Sequence, residues 1–78
     1  MSDDIIKKLT LEINKHENLE DKELKIIKLQ LLRKSMILKV VLRGKEKLTH
    51  DEEELIKKII CKTLMIRITV EIVFYRAA

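Results

Sequence analysis

Several residue types are scarce in this chain, and each scarcity excludes a kind of site. The single cysteine, Cys61, cannot form an internal disulfide or one of the multi-cysteine sites that hold structural zinc. The single glycine, Gly44, cannot supply a glycine-rich phosphate loop, and it falls where the second predicted strand must stop and the chain must turn. Proline and tryptophan are absent, and phenylalanine and tyrosine occur once each. The core must therefore be built from Ile, Leu and Val.

Long apolar runs are also missing. No run approaches the roughly 18 residues that span a bilayer, and the acidic opening Met1-Ser2-Asp3-Asp4 is unlike the basic start of a signal peptide. We therefore expect a cytoplasmic protein in a reducing compartment. In that setting Cys61 is expected to be a buried structural thiol.

The composition is that of one folded unit. Of 78 residues, 46% are hydrophobic and 38% are charged, a mixture that can order a core. Residues 1–78 are therefore predicted to form a single small domain, and their stop directly after the last predicted strand suggests a module excised from a larger protein. The net charge of +4 is mildly basic, which permits nucleic acid as a partner without requiring it.

Two helices are predicted from apolar spacing and capping residues. The first is capped by Ser2 and ends near Lys15 to Asn18, with apolar residues at helical spacing: Ile6, Leu9 and Ile13. Thr49 and Glu52 have the spacing of a capping box, which predicts that the second helix begins there. Its buried stripe consists of Leu55, Ile56, Ile59 and Ile60.

Three strands are predicted from alternation. Leu24 to Arg33 fits either a helical face or a strand, but the clear alternation from Met36 to Arg43 requires a pairing partner. A hairpin turning at Arg33-Lys34-Ser35 satisfies that requirement. Ile66 to Tyr75 alternates as the third strand.

The resulting fold class is α+β. We predict a two-layer α-β-β-α-β domain, in which a three-stranded sheet carries both helices on its apolar face. The first strand is expected at the centre of that sheet.

No catalytic, cofactor-binding or metal-binding residues are expected. His16 and His50 lie outside the apolar stripes, and no nucleophile, base and orienting group assemble around them. The acidic run Asp51–Glu54 occupies four successive helical positions, which point in different directions and suit the helix dipole instead. The chain is therefore not expected to be an enzyme by itself.

Two surfaces remain as candidates. Basic residues cluster on the hairpin and could follow phosphates, and the possible nucleic-acid contacts are Lys28, Arg33, Lys34, Lys39 and Arg43. The alternative is a solvated strand face with cationic edge protection. The sheet face away from the helices could instead bind a protein, through Ile37, Lys39, Val41, Arg67, Val73 and Tyr75. These residues could equally reflect strand propensity alone.

The run from Leu24 to Tyr75, LKIIKLQLLRKSMILKVVLRGKEKLTHDEEELIKKIICKTLMIRITVEIVFY, resembles a known family. It is similar to the first N-terminal domain of PolC-type DNA polymerase III alpha subunits, the replicative polymerases of low-GC Gram-positive bacteria. That resemblance implies a non-catalytic module that contacts replisome proteins such as the clamp-loader tau subunit, while polymerase and exonuclease residues lie in later domains. The leading hypothesis is therefore a protein-interaction domain, and the rival is a nucleic-acid-binding module that uses the basic hairpin.

Overall fold

The structure is a computed structural model that describes residues 3–77. Helix α1 spans Asp3–Lys15, strands β1 and β2 span Lys25–Leu32 and Ile37–Gly44, helix α2 spans His50–Leu64, and strand β3 spans Thr69–Arg76. A single 3₁₀ turn, Glu20–Lys22, joins α1 to β1. The predicted α+β class and the predicted order of elements are confirmed. The proposed cap Ser2 lies outside the described residues.

Strand β2 lies at the centre of the three-stranded sheet, so the prediction that the first strand is central is wrong. Strand β1 pairs with β2 antiparallel, as a hairpin must, and β3 pairs with the other edge of β2 in parallel. The reason is the connection through α2, which leaves the end of β2 and returns the chain so that β3 runs alongside β2 in the same direction. Central position also explains why β2 buries its inward side chains almost completely.

One hydrophobic core unites both helices with all three strands. In β2 the inward residues Leu38, Val40 and Leu42 are buried, while the residues between them are half-buried or exposed. The predicted stripes of both helices pack here, led by Leu9 and Ile13 of α1 and Ile56 and Ile60 of α2. The remaining buried residues are Leu19, Leu24, Ile26, Leu29, Leu48 and Val70.

Strand β1 contains a bulge that sequence alternation did not indicate. The pairing register shifts between Ile26 and Lys28, which leaves Ile27 as the extra residue, with half of its surface exposed. Because a bulge adds one residue to one strand, the inward positions are Ile26 and then Leu29, not Ile27 and Leu29. The bulge therefore sets which side chains of β1 face away from the helices.

Helix α1 protects the beginning of edge strand β1. The Thr10 hydroxyl accepts a hydrogen bond from the Ile26 backbone amide at 3.4 Å. The Asn14 side-chain amide donates to the Leu24 carbonyl at 2.7 Å. These side chains occupy backbone groups that a further strand would need, so this part of the edge is closed to strand pairing.

The capping box predicted at α2 is confirmed. The Thr49 hydroxyl accepts from the Glu52 amide at 3.2 Å, and the Glu52 carboxylate accepts from the Thr49 amide at 2.9 Å. The other end of α2 explains why β3 begins at Thr69 and not at the predicted Ile66. Met65 adopts a left-handed conformation, and Ile66 donates back to the Cys61 carbonyl, so both residues belong to the helix termination.

Gly44 is the last residue of β2, so the strand ends and the chain turns where predicted. Its φ is not positive, so the turn does not require the conformational freedom of glycine. A Cβ atom at this position would instead lie 2.7 Å from Cδ2 of Leu24 and 3.1 Å from Cε1 of Phe74. Gly44 is therefore needed because buried side chains pack directly against its backbone.

Replacing Gly44 with alanine should lower the free energy of unfolding by about 1 kcal/mol, since overpacking outweighs the gain from a stiffer unfolded chain. Urea denaturation of wild-type, Gly44→Ala, Leu24→Ala and the double variant would measure this. In the Leu24→Ala background the clashing methyl group is gone, so adding Gly44→Ala should become neutral or stabilising. Equal effects in both backgrounds would contradict the proposed contact.

Candidate interaction surface

The sheet has one face packed on the helices and one face without helical cover, here called the open face. Alternation along each strand and the pairing register place twelve side chains on it. They are Lys25, Lys28, Gln30, Leu32, Ile37, Lys39, Val41, Arg43, Thr69, Glu71, Val73 and Tyr75. Five of the six residues predicted for the partner face belong to this set, so the fold brings them together.

An apolar strip runs along the centre of the open face. Val41 and Val73 are register partners on β2 and β3, which places their Cα atoms about 5 Å apart. Tyr75 lies two residues after Val73 on the same face, and Ile37 lies four residues before Val41, with Lys39 between them. Tyr75 is 58% exposed, and the other three side chains are half-buried without being covered by a helix.

Leu32 is the apolar residue that β1 contributes to the open face, and the sequence analysis did not identify it. Leu32 pairs with Ile37 and is half-buried. Leu32 directly follows the apolar Leu31, so the alternation of β1 gave no reason to assign one of the two to the outward face. Pairing with Ile37 across the hairpin was the signal that could have identified it, because residues joined in register share a face.

The open face is positively charged. It carries Lys25, Lys28, Lys39 and Arg43 against the single acid Glu71, which gives 4 − 1 = +3. Lys39 and Glu71 are register partners. Among residues 3–77, no ion pair within 4 Å involves any of these five groups. The charges of this face are therefore available to a partner.

The structure divides the residues predicted for nucleic-acid binding. Lys28, Lys39 and Arg43 lie on the open face, whereas Arg33 and Lys34 lie in the hairpin turn beyond it. Arg67, predicted for the partner face, lies in the loop before β3 and is not part of the sheet. The open face thus contains the apolar strip and three of the five predicted phosphate contacts.

The histidines and the cysteine lie elsewhere and do not converge. His16 follows α1, where its Nδ1 accepts from the Asn18 amide at 3.2 Å. His50 is exposed at the start of α2. Cys61 is half-buried, not fully buried, and its thiol donates to the Ile68 carbonyl at 3.6 Å, which links α2 to the loop before β3. Within the described range, no three His, Cys, Asp or Glu side chains are grouped to hold a metal ion.

Two acids at the start of α2, Glu52 and Glu54, form ion pairs with nearby lysines. Glu54 contacts Lys57 at 3.4 Å. Glu52 contacts Lys22 of the 3₁₀ turn at 3.0 Å. The hydrogen bond from the Thr49 amide, followed by that from Lys22, lowers the pKa of Glu52 below its ordinary value. The hydrogen bond to Glu52 in turn raises the pKa of Lys22. This cluster therefore fastens α2 to the turn before β1.

Over residues 3–77, neither helix has the length and apolar content needed to cross a membrane.

Fold and surface together define a class: a small two-layer α+β domain whose open sheet face combines an apolar strip with unpaired cations. Sequence comparison then supplies a relative. Over 75 residues, the chain is 35% identical to a DNA polymerase III PolC-type of Clostridium perfringens (strain 13 / Type A), a match that covers 96% of this chain. The chain therefore belongs to the PolC-type DNA polymerase III family, and the predicted resemblance is confirmed.

The chain spans 5% of the length of that relative, so it corresponds to a small segment of a much longer protein. No family model matches the chain. No solved structure matches it either. The position of the segment at the N-terminus of the polymerase remains a prediction.

The shifted pKa of Glu52 gives a pH-dependent prediction. Because its pKa is lowered on folding, ionised Glu52 stabilises the fold above its ordinary pKa of 4.5, and this contribution is lost as the pH falls through the folded pKa. Glu52→Gln should therefore be less stable than wild type at neutral pH, and the difference should close on acidification. Urea midpoints of both proteins, measured from neutral pH to below the ordinary pKa of Glu52, would show the difference closing.

Glu53→Gln is the matched control, since it removes the same charge from the same helical turn without an ion pair in the described structure. At neutral pH, Glu53→Gln should lower the urea midpoint by less than Glu52→Gln does. A Glu52→Gln difference that stays constant from neutral to acidic pH would contradict an electrostatic origin.

Proposed function

We propose that this chain is a non-catalytic interaction module of a PolC-type DNA polymerase III, and that it binds another replication protein through the open face. The observation that carries the proposal is the apolar strip of Ile37, Val41, Val73 and Tyr75. Val41, Val73 and Tyr75 adjoin across β2 and β3 on a face that neither helix covers, and Ile37 lies on the same face of β2 beyond Lys39. An apolar centre with a polar and charged rim is the usual anatomy of a protein interface.

The composition of the strip supports binding over strand propensity alone. Propensity explains why β-branched and aromatic residues occur in strands, but it does not require them to adjoin on the solvent side. A sheet with one solvated face normally places polar residues there. Here Val41 and Val73 pair at the centre of that face, and Tyr75 continues the strip with most of its side chain exposed.

The non-catalytic part of the proposal is supported by how the reactive side chains are distributed. Polymerase chemistry relies on carboxylates that hold divalent cations. At the start of α2, Glu52 instead caps the helix and contacts Lys22, and Glu54 contacts Lys57. Under this proposal, polymerase and exonuclease residues lie elsewhere in the parent chain, and the parent acts in the cytoplasm.

Replisome proteins are the proposed partners, with the clamp-loader tau subunit as the first candidate. The resemblance to the N-terminal domain of the polymerase supports this choice. The charge of the open face adds a physical requirement, since a face of +3 favours a partner surface that carries acids around apolar anchors.

Titration calorimetry of the chain against purified tau and other replisome proteins tests the proposal. We expect binding to at least one of them. Val73→Glu places a charge at the centre of the strip and Tyr75→Ala removes its exposed aromatic ring, so each should weaken binding roughly tenfold or more. Lys58→Ala, on the exposed surface of α2, should leave the affinity unchanged.

Urea denaturation must show that the open-face variants remain folded. The proposal fails if none of the replisome proteins binds. It fails equally if binding survives both Val73→Glu and Tyr75→Ala in folded protein.

Nucleic-acid binding is the second candidate function, and one structural observation favours it. In the sequence no aromatic residue lies among the hairpin cations, but the fold pairs Tyr75 with Arg43 on the open face. Lys28 and Lys39 lie on the same face. An exposed aromatic ring beside cations is the arrangement that binds single strands, because the ring stacks on bases while the cations contact phosphates.

Fluorescence anisotropy with single-stranded oligothymidylate distinguishes the two functions. If the open face binds DNA, affinity should fall steeply with salt, and Lys28→Ala, Lys39→Ala and Arg43→Ala combined should reduce the slope of log affinity against log salt by about 2, given roughly 0.7 per phosphate contact. Salt-insensitive affinity, or none at low salt, would exclude this function while leaving the protein partner untouched.

A further inference from the structure

A second apolar surface lies at the end of the molecule where the hairpin turns, on the helix side of the sheet. It is a cleft of about 380 Å³, here called the tip cleft. Its walls come from the first turn of α1, the hairpin, the end of α2 and the loop before β3. The residues that line it are Ile5, Leu31, Met36, Leu38, Leu64, Ile66 and Ile68.

The tip cleft exists because neither helix covers this end of the sheet. Leu31 and Leu38 are register partners on the inward side of β1 and β2. Leu38 is buried at the base of the cleft, whereas Leu31 and Ile66 are exposed. Inward positions elsewhere in the sheet are covered by α1 and α2, so the cleft is core-type surface that lacks a covering layer.

Two methionines beside the cleft occupy backbone positions that glycine normally holds. Met36 has φ of 51° and Met65 has φ of 56°, both in the left-handed region. Position 65 follows the last residue of α2, where glycine is the usual choice because it has no Cβ to strain. Burial does not compensate for this strain, because Met36 is 61% exposed and Met65 is 90% exposed.

Both methionine side chains are therefore exposed beside an uncovered apolar cleft, although their left-handed backbone lowers the stability of the fold. Strained non-glycine backbone often occurs at functional positions, and of the three left-handed residues described, Glu23 lies at the other end of β1 whereas both methionines lie at the cleft. Methionine is flexible and polarisable, so it suits a surface that must adapt to an apolar partner.

The charges around the tip cleft indicate the chemistry of its occupant. Arg33 and Lys34 lie in the turn between Leu31 and Met36, and Arg67 lies between Ile66 and Ile68. All three are exposed, and none belongs to an ion pair within the described residues. The acids of this end, Asp3 and Asp4, lie at the start of α1, where the positive end of the helix dipole offsets part of their charge.

We propose that the tip cleft is a docking site for a short segment of a partner protein in which aliphatic anchor residues are flanked by acids. The anchors occupy the cleft against Leu31, Met36 and Ile66, and the acids pair with Arg33, Lys34 and Arg67. A concave site with a buried base accepts inserted side chains, which favours a protein segment over a flat membrane surface. The site is separate from the open face and does not depend on it.

Display selection of random dodecapeptides on the 78-residue chain tests the proposal. The selected peptides should be enriched in Leu or Ile flanked by Asp or Glu. Met36→Gly and Met65→Gly should each weaken the binding of a selected peptide, and the two combined should do so roughly tenfold or more. Because glycine relieves the left-handed strain, the urea midpoints of these variants should stay the same or rise.

Weaker peptide binding together with an unchanged or higher urea midpoint separates a docking role from a structural one. If the methionines were needed for stability, replacing them would lower the urea midpoint. Glu23→Gly, at the other end of β1, is the matched control, because Glu23 is also left-handed (φ of 51°) and exposed but does not line the cleft, and it should leave peptide affinity unchanged. The proposal is overturned if no peptides are enriched, if those enriched lack acids, or if the methionine variants bind as tightly as wild type. Binding to anionic phosphatidylserine vesicles in place of peptide, lost in the same variants, would also overturn it.

Discussion

The double pairing of β2 is the constraint on which the rest of this structure depends. Strand β2 is hydrogen-bonded to β1 on one edge and to β3 on the other, so its backbone groups are satisfied within the sheet. Its inward residues Leu38, Val40 and Leu42 have almost no exposed surface. Once these residues bind both helices to one face, the opposite face is left without cover, and its side chains become the exterior of the domain.

The two surfaces proposed for binding follow from this arrangement in different ways. The open face consists of the outward residues of all three strands, so it extends across the sheet and carries both apolar and charged side chains. The tip cleft lies where inward-facing residues of the sheet are not covered by the helices, so it is concave and apolar.

The contacts at the two ends of α2 affect both surfaces. Lys22 and Glu52 join the turn before β1 to the start of α2, and the Schellman-type termination at Met65 fixes where α2 ends. The first contact links the start of α2 to the turn before β1, while Ile56 and Ile60 pack the helix on the sheet. The second leaves Ile66 outside both α2 and β3, where it can line the tip cleft.

Local sequence signals predicted most elements correctly, and they failed where pairing between distant segments decides the outcome. The Thr49 and Glu52 spacing specified the start of α2, because a capping box is satisfied within one turn. The bulge at Ile27 carried no such signal, since no glycine marks it, and it appears only in the register between β1 and β2. Strand order was mispredicted for the same reason.

The sequence by itself determined the class of the fold, the boundaries of the helices to within a few residues, and the resemblance to PolC-type polymerases. Each of these depends on patterns within short stretches of chain or on similarity along it. Only the tertiary structure decided which strand is central, that Tyr75 lies beside Arg43, and that Leu31 and Ile66 share one cleft. These are relations between residues far apart in the chain, and they are fixed by the crossover through α2 and the packing of the core, which no local pattern encodes.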